Sequence, residues 1–274
     1  MNRWRWAASC RLITARIVSQ PMRRLTSLEL LDRGLLTADE IRANLDDLWR
    51  INRYLGGLSG NLRLLEGLCR RAGKRRVRIL EVGAGDGRLA RQLRRELCRR
   101  QIESEFLVLD RRLPHLQIGG RGPESEGLGP VVADVLALPF ADGSFDLVTC
   151  NLLLHHFSGE RALALLRNLA SVARDAVVVN DTVRHWLPYA LVRVMPCFGR
   201  HRVSRLDGAA SVRQAYTRNE LLQLGSLARC GDFEVHRTGP FQMGLVLWKT
   251  PLFPVSVLAK VEPVPVGPAL GEPT

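Results

Sequence analysis

Glu81 stands two residues before the first glycine of a turn with glycine at every second position, Gly83-Ala84-Gly85-Asp86-Gly87, and Asp110 follows 23 residues after Gly87. An acid at the end of an apolar run, then small residues, then a helical pattern, brings backbone unusually close to whatever binds there. Asp110 ends the next apolar run, where a carboxylate can accept both hydroxyls of a ribose. The other role open to Asp110 is the cap of a strand end. Together these residues offer the chemistry of nucleoside binding.

Two nucleoside cofactors compete for such a turn. A dinucleotide sets its pyrophosphate on a helix N-terminus after G-x-G-x-x-G. Here the spacing is G-x-G-x-G, with Glu81 in front. A carboxylate at that point repels phosphate and suits the ammonium of a methionine tail, which favours S-adenosylmethionine (SAM) over a nicotinamide. An NAD-dependent oxidoreductase remains the alternative from another enzyme class on a similar fold.

The elements that must position these groups are legible as changes of period. Val77 to Val82 runs apolar into the glycines, as a buried parallel strand does. Beyond them Leu89, Leu93 and Leu97 mark one helical face, while Arg88, Arg91, Arg95 and Arg99 line another that reads as solvated. Further strands are expected at 106–109, 131–132, 145–150, 176–179, 233–236 and 245–248. A Gly-rich loop occupies 119–129. Before the first strand, a capping box from Thr37 to Glu40 opens a helix that stops at Gly56-Gly57, and a second helix covers 62–71. Ser158 is placed to cap a helix carrying Leu163, Leu166 and Leu169. Thr217 to Glu220 forms another capping box. Strands alternating with helices predict an α/β, Rossmann-like, doubly wound sheet.

Glu81 to Gly87, Leu109-Asp110, Ala133-Asp134-Val135 with Leu138-Pro139-Phe140, and Asp142 to Val148 resemble, in order, the motifs of class I SAM-dependent methyltransferases. The similarity is greatest to the ubiquinone- and menaquinone-biosynthesis type, whose members often carry a run like Leu154-His155-His156. It covers residues 77–180. The resemblance implies a seven-stranded sheet whose last strand is antiparallel. It implies that Glu81, Gly83, Ala84 and Gly85 face the methionine part of SAM, with Asp110 at the ribose. Asp134 and Val135 would meet the adenine, Asn151 and Leu152 would flank the sulfonium, and Gly87 and Arg111 complete the cofactor set. Asp134 also fits a turn cap.

A phenolic acceptor, with a pKa of about 10, is helped by a base near neutral pH, and histidine is the natural one. His155 and His156 follow the fourth strand on the cofactor side, His155 being the preferred base. A hydrogen-bonded histidine starting a helix is the other reading. Acceptor choice is expected outside the shared motifs, in the N-terminal helices of 26–76 and an insertion at 182–216 that holds His185, Trp186, Leu187, Tyr189, Leu191, Val194 and Met195. A packed helix under the sheet edge would have the same composition. The expected acceptor is a small, hydrophobic or aromatic molecule of quinone, polyketide or phenol type. Asn151 to Leu154 lacks the Pro-Pro-aromatic stretch of enzymes that methylate exocyclic base nitrogens, so an RNA or DNA methyltransferase is a rival only for other atoms. A non-catalytic assembly protein on a SAM fold is the third rival.

Composition sets the frame. With 274 residues and 46% hydrophobic side chains there is material for one large core, which excludes disordered and disulfide-scaffold classes. The net charge of +13 rests almost wholly on arginine, since Lys74, Lys249 and Lys260 are the only lysines. Six arginines precede the first acid, Glu29, so residues 1–25 read as a basic leader. That leader is an organelle transit peptide, an extension upstream of an initiator at Met22, or a disordered arm. Residues 251–274, with six prolines, read as a tail, leaving a domain at 26–250. Six cysteines without C-x-x-C spacing indicate mostly core fillers in a reducing compartment, with no metal site expected. The cytoplasm is the expected location, or the mitochondrial matrix if the leader is a transit peptide. No run approaches the roughly 18 apolar residues of a membrane span.

Overall fold

The computed structural model describes residues 22–26, 29–34, 36–119, 128–194 and 202–249. Residues 1–21 of the leader, Met195, most of the Gly-rich loop and the proline-rich tail lie outside them.

Seven strands form one sheet in the order β3-β2-β1-β4-β5-β7-β6. They are β1 Arg76–Val82, β2 Glu103–Asp110, β3 Leu128–Val132, β4 Phe145–Asn151, β5 Ala173–Thr182, β6 Asp232–Arg237 and β7 Gln242–Trp248. The first five pair in parallel, and β7 runs antiparallel to both β5 and β6. Every residue of β4 is buried, which is why Leu147 and Val148 stand side by side as apolar residues instead of alternating with polar ones. Within β1, Val77 and Ile79 join the core on one face and Leu80 and Val82 that on the other.

The first core is covered by α2 (Ala38–Tyr54), α3 (Gly57–Arg71) and α4 (Arg88–Arg99), which follow a short α1 (Leu30–Arg33). The second is covered by α6 (Glu160–Val172) and α9 (Arg218–Ala228). Helix α5 (Leu113–Gly119) follows β2, while α7 (Trp186–Val194) and α8 (Arg202–Gln214) lie between β5 and α9. Both expected capping boxes form, at Thr37 with Glu40 and at Thr217 with Glu220.

Several expectations change. Helix α3 begins at Gly57, directly after Gly56 in the left-handed region (φ 98°), so the glycine pair is a corner between two helices. Gly159, not Ser158, is the N-cap of α6, and no side chain caps it. The arginine row of α4 is not merely solvated. Arg88 bridges Asp86 to Asp46 on α2, and Arg91 donates to the carbonyls of Asp86 and Gly119. Residues 22–25, assigned by charge to the leader, are tied to the domain. Leu25 N–H donates to Arg213 O, Arg24 to Gln214 O and Phe157 O, and the Arg24 guanidinium lies 4.0 Å from the Tyr216 ring centroid. Among the described residues no helix is long and apolar enough to cross a membrane.

Candidate active site

The carboxyl ends of β1, β2 and β4 open onto two cavities that share Leu45, Leu48, Gly83, Gly85 and Leu152 as walls. The smaller, about 80 Å³, is bounded by Glu81, Ala84, Asp86 and Asn151 below and by Trp49 and Asn52 of α2 above. The larger, about 340 Å³, extends past Asp110, Arg111, Asp134 and Val135 on one side and His155 and His156 on the other.

Backbone builds the floor. Gly83, Gly85 and Gly87 all have positive φ (64°, 58° and 70°), which L side chains adopt only with strain. A Cβ on Gly83 would come within 2.8 Å of Leu153, so this glycine is required twice over. Gly87 starts α4 and lines neither cavity. At the end of β4, Leu152 is a non-glycine residue at φ 50°, with its N–H donating to Asn180 O. Such a residue costs ~1–2 kcal/mol, and it sits where the two cavities meet.

Glu81 is buried, and its Oε2 has no partner. Burial, then the nearby Asp86 carboxylate, push its pKa up to about 8, against the opposing pull of the Ala90 backbone and Arg91. A lone buried carboxyl beside open space suits a cationic ligand group. Asp110 takes the strand-end cap role. Its carboxylate accepts from Gly85 N–H and Arg112 N–H, each at 2.9 Å, which ties the glycine turn to the end of β2, and it also borders the larger cavity. Asp134 closes a turn through Leu136 N–H at 2.8 Å and borders the same cavity.

The Asn151 side chain faces inward. Its Oδ1 accepts from Asn61 and Asn180, both at 2.9 Å, and its Nδ2 donates to Asn52 Oδ1 at 3.0 Å. This buried amide network joins α2, α3, β4 and β5, so Asn151 reaches the cavity chiefly as backbone. Sequence reasoning missed Asn52, Asn61 and Asn180, because an isolated asparagine inside a helix or strand carries no periodic signal. It also missed His115, buried beside Asp110 at 3.4 Å and facing the larger cavity.

His155 is buried on a single 3₁₀ turn, Leu154–His156. Nδ1 lies 2.7 Å from Asp181 Oδ1 and Nε2 lies 3.3 Å from Glu29 Oε1. Burial alone would lower its pKa, but Asp181 and then Glu29 push it up to about 10. At neutral pH His155 is therefore an imidazolium between two carboxylates, the wrong state for taking a proton. Burial likewise raises Glu29, yet His155, His156 and Ser211 outweigh it and hold this carboxyl below its ordinary range. His156 is partly exposed, its Nε2 3.9 Å from Glu29 Oε2. Glu29 and Asp181, both absent from the sequence-derived site, are thus the groups that set the state of His155.

Residues 79–176 match the family model described as "Methyltransferase domain". In these residues the chain is similar to methyltransferase domains, and its sheet has the class I, Rossmann-like order. Among relatives, it is 35% identical over 143 residues to the demethylmenaquinone methyltransferase of Thermus thermophilus. The match takes in 51% of this chain and 62% of that protein, so the chain spans somewhat less than two thirds of its relative. A SAM-dependent methyltransferase from Aquifex aeolicus superposes with a TM-score of 0.53 at 16% identity, over 78% of this chain and all of its own. The plantazolicin methyltransferase BpumL, solved with a monoazolic desmethylPZN analog and SAH, superposes with a TM-score of 0.61 at 13% identity, over 77% of this chain and 90% of its own. At these identities both structures speak to the fold alone.

Proposed function

We propose that the protein moves a methyl group from SAM to an oxygen or carbon of a small hydrophobic or aromatic acceptor of quinone, polyketide or phenol type. The observation that carries this reading is the pair of cavities meeting at Leu152. One holds a buried carboxyl whose Oε2 makes no hydrogen bond, and the other is walled largely by Leu31, Ile51, Leu55, Leu191, Val192 and Phe241. An apolar chamber with a few polar groups at one end is the usual form of a site for such a molecule.

SAM, when bound, supplies a methyl group on a sulfonium, which leaves without needing a proton. Glu81 would hold its ammonium, with Gly83, Ala84 and Gly85 as the backbone floor and Gly87 setting the start of α4. Asp110 would accept the ribose hydroxyls beside Arg111, and Asp134 and Val135 would border the adenine. Leu152 and the backbone of Asn151 would flank the sulfonium. Positive charge disappears in the displacement, so the protein's main tasks are alignment and exclusion of water. Helix α2 serves both, since Leu45 and Leu48 roof the two cavities at once. The acceptor's proton leaves at the polar end of the large cavity, which Glu29, His155 and His156 line, and His155, already protonated, is not the base. Acceptor choice belongs to the helices of 26–76 and to 182–216.

Calorimetric titration with S-adenosylhomocysteine (SAH) tests the cofactor half, with saturable binding at one site per chain expected. Absence of binding overturns the whole reading. Incubation with methyl-labelled SAM and a panel of phenols and hydroquinones tests the other half. Label entering nucleic acid, with none in any small acceptor, would replace the acceptor class.

A further inference from the structure

At the polar end of the large cavity Glu29, His155 and His156 each point one ligand atom at a common space, and these atoms all lie within 4.8 Å of one another. Two imidazoles and a carboxylate are the donors of catalytic zinc and of related first-row ions. We propose that Glu29, His155 and His156 form a binding site for a divalent transition ion, Zn²⁺ in the first instance, with an open position facing the cavity.

Three observations support this. First, the spacing is right. Bonds of about 2.1 Å to one ion put neighbouring ligand atoms about 3.0 to 3.4 Å apart. Glu29 Oε1 is 3.3 Å from His155 Nε2, and Glu29 Oε2 is 3.9 Å from His156 Nε2, so a turn of the carboxylate and a small rotation of the more exposed His156 ring would close the set. Second, His155 is oriented as a ligand. Asp181 takes Nδ1 at 2.7 Å, while the buried Nε2 makes no hydrogen bond and is aimed at Glu29. A carboxylate holding the far nitrogen of a metal-binding histidine is the standard outer-shell arrangement, and it fixes both tautomer and ring direction. His156, on the next residue of the same turn, lies with its ring centroid 4.2 Å away and tilted by 33°, so both rings flank Glu29. Third, the carboxylates are in excess. Glu29 and Asp181 are both buried against the one buried imidazole, His155, with His156 at the partly exposed edge of Glu29, and Glu29 is kept in place by Ser211 Oγ at 2.5 Å. A divalent charge balances the pair better than one proton does.

Three protein ligands leave room for one more, and all three border the larger cavity at the end away from Asp110 and Asp134. On the methyl-transfer reading, on which this last step rests, an acceptor hydroxyl at the open position releases its proton to solvent at lower pH. Its oxygen then bonds to the methyl carbon as the carbon–sulfur bond breaks, with the electron pair left on sulfur.

The experiment uses the untagged full chain, stripped with chelator and titrated with ZnCl₂, alongside SAH on the same sample. One zinc per chain at micromolar affinity or better is expected. Glu29→Gln and His156→Ala should each weaken zinc about 100-fold, with SAH affinity unchanged, which shows that the variants are folded. Co²⁺ in place of zinc should give visible bands that both variants lose. Failure of wild type to take up zinc while binding SAH normally overturns the metal site alone. Zinc binding that survives both substitutions overturns it as well. Zinc bound without SAH would keep the metal site and remove the methyl-transfer reading.

Discussion

The two ends of the site are built by different means. The proposed cofactor end has its floor in one stretch of chain, 79–152, in which strand ends present glycines, backbone N–H groups and three acids, with α2 alone laid over it. The acceptor end is assembled from separate segments. Glu29 meets His155 across 126 residues, Asp181 reaches the same ring, and Asp207 of α8 holds Leu30 N–H at 2.7 Å and Leu31 N–H at 3.0 Å. The first end depends on the sheet and barely on side-chain identity outside a few positions. The second depends on side-chain ties that any of several elements can break.

That contrast yields unequal mutational effects. The largest is expected at Gly83. Valine there would be strained at φ 64° and would meet Leu153 within 2.8 Å, at a combined cost of about 2 to 5 kcal/mol. SAH affinity should fall more than about 100-fold by calorimetry. A Gly83→Val protein that binds SAH normally would mean that the turn is not the cofactor floor. Next comes Asp110→Ala. It frees Gly85 N–H and Arg112 N–H and removes the proposed ribose acceptor. Charge-assisted bonds of this kind are worth about 1.5 to 3 kcal/mol, so SAH should bind about 10- to 100-fold more weakly. Unchanged binding would reduce Asp110 to a strand-end cap.

At the other end, Asp207→Ala releases two backbone N–H groups and Asn44 from one carboxylate, loosening the segment that carries Glu29. The expected result is an acceptor KM about 10-fold higher with SAH affinity within about twofold of wild type, and a loss of roughly 1 to 3 kcal/mol in urea melts. Parallel loss of SAH binding would erase the distinction between the two ends.

The same contrast explains what could be read from sequence. Glu81, the glycines, Asp110 and the order of strands were legible because each is local, and a strand followed by a turn and a helix repeats a pattern within about 30 residues. The antiparallel β7 came from family resemblance rather than from periodicity. Glu29 was noted only as the first acid, since nothing local relates it to His155. His155 was singled out as a base, yet its protonation is set by Glu29 and Asp181, neither of which the chain order brings near it. Asn52, Asn61, Asn151 and Asn180 form a buried network that only the packing of α2 and α3 on the sheet creates. Met22 to Leu25 looked like a leader because charge is a property of composition, whereas their contacts with Arg184, Arg213 and Gln214 are long-range.

The smallest effect sharpens the cofactor end through pH. Glu81 in the folded, ligand-free protein holds a proton up to about pH 8, whereas in the unfolded chain it gives that proton up near 4.5. The folded state therefore binds more protons across this window. Stability from this group is intact below about pH 4.5 and declines as pH rises toward 8. Glu81→Gln cannot ionise, so its urea midpoint should fall less than that of wild type between pH 5 and pH 8. Cofactor binding runs the other way. An ammonium placed beside Glu81 favours the carboxylate, so SAH binding to wild type at pH 7 should expel close to one proton from this group, read as a buffer-dependent binding enthalpy. The Gln variant should expel none from this site and bind SAH more weakly. Equal proton release by the two proteins would separate Glu81 from the ammonium and leave the glycine turn without its cationic partner.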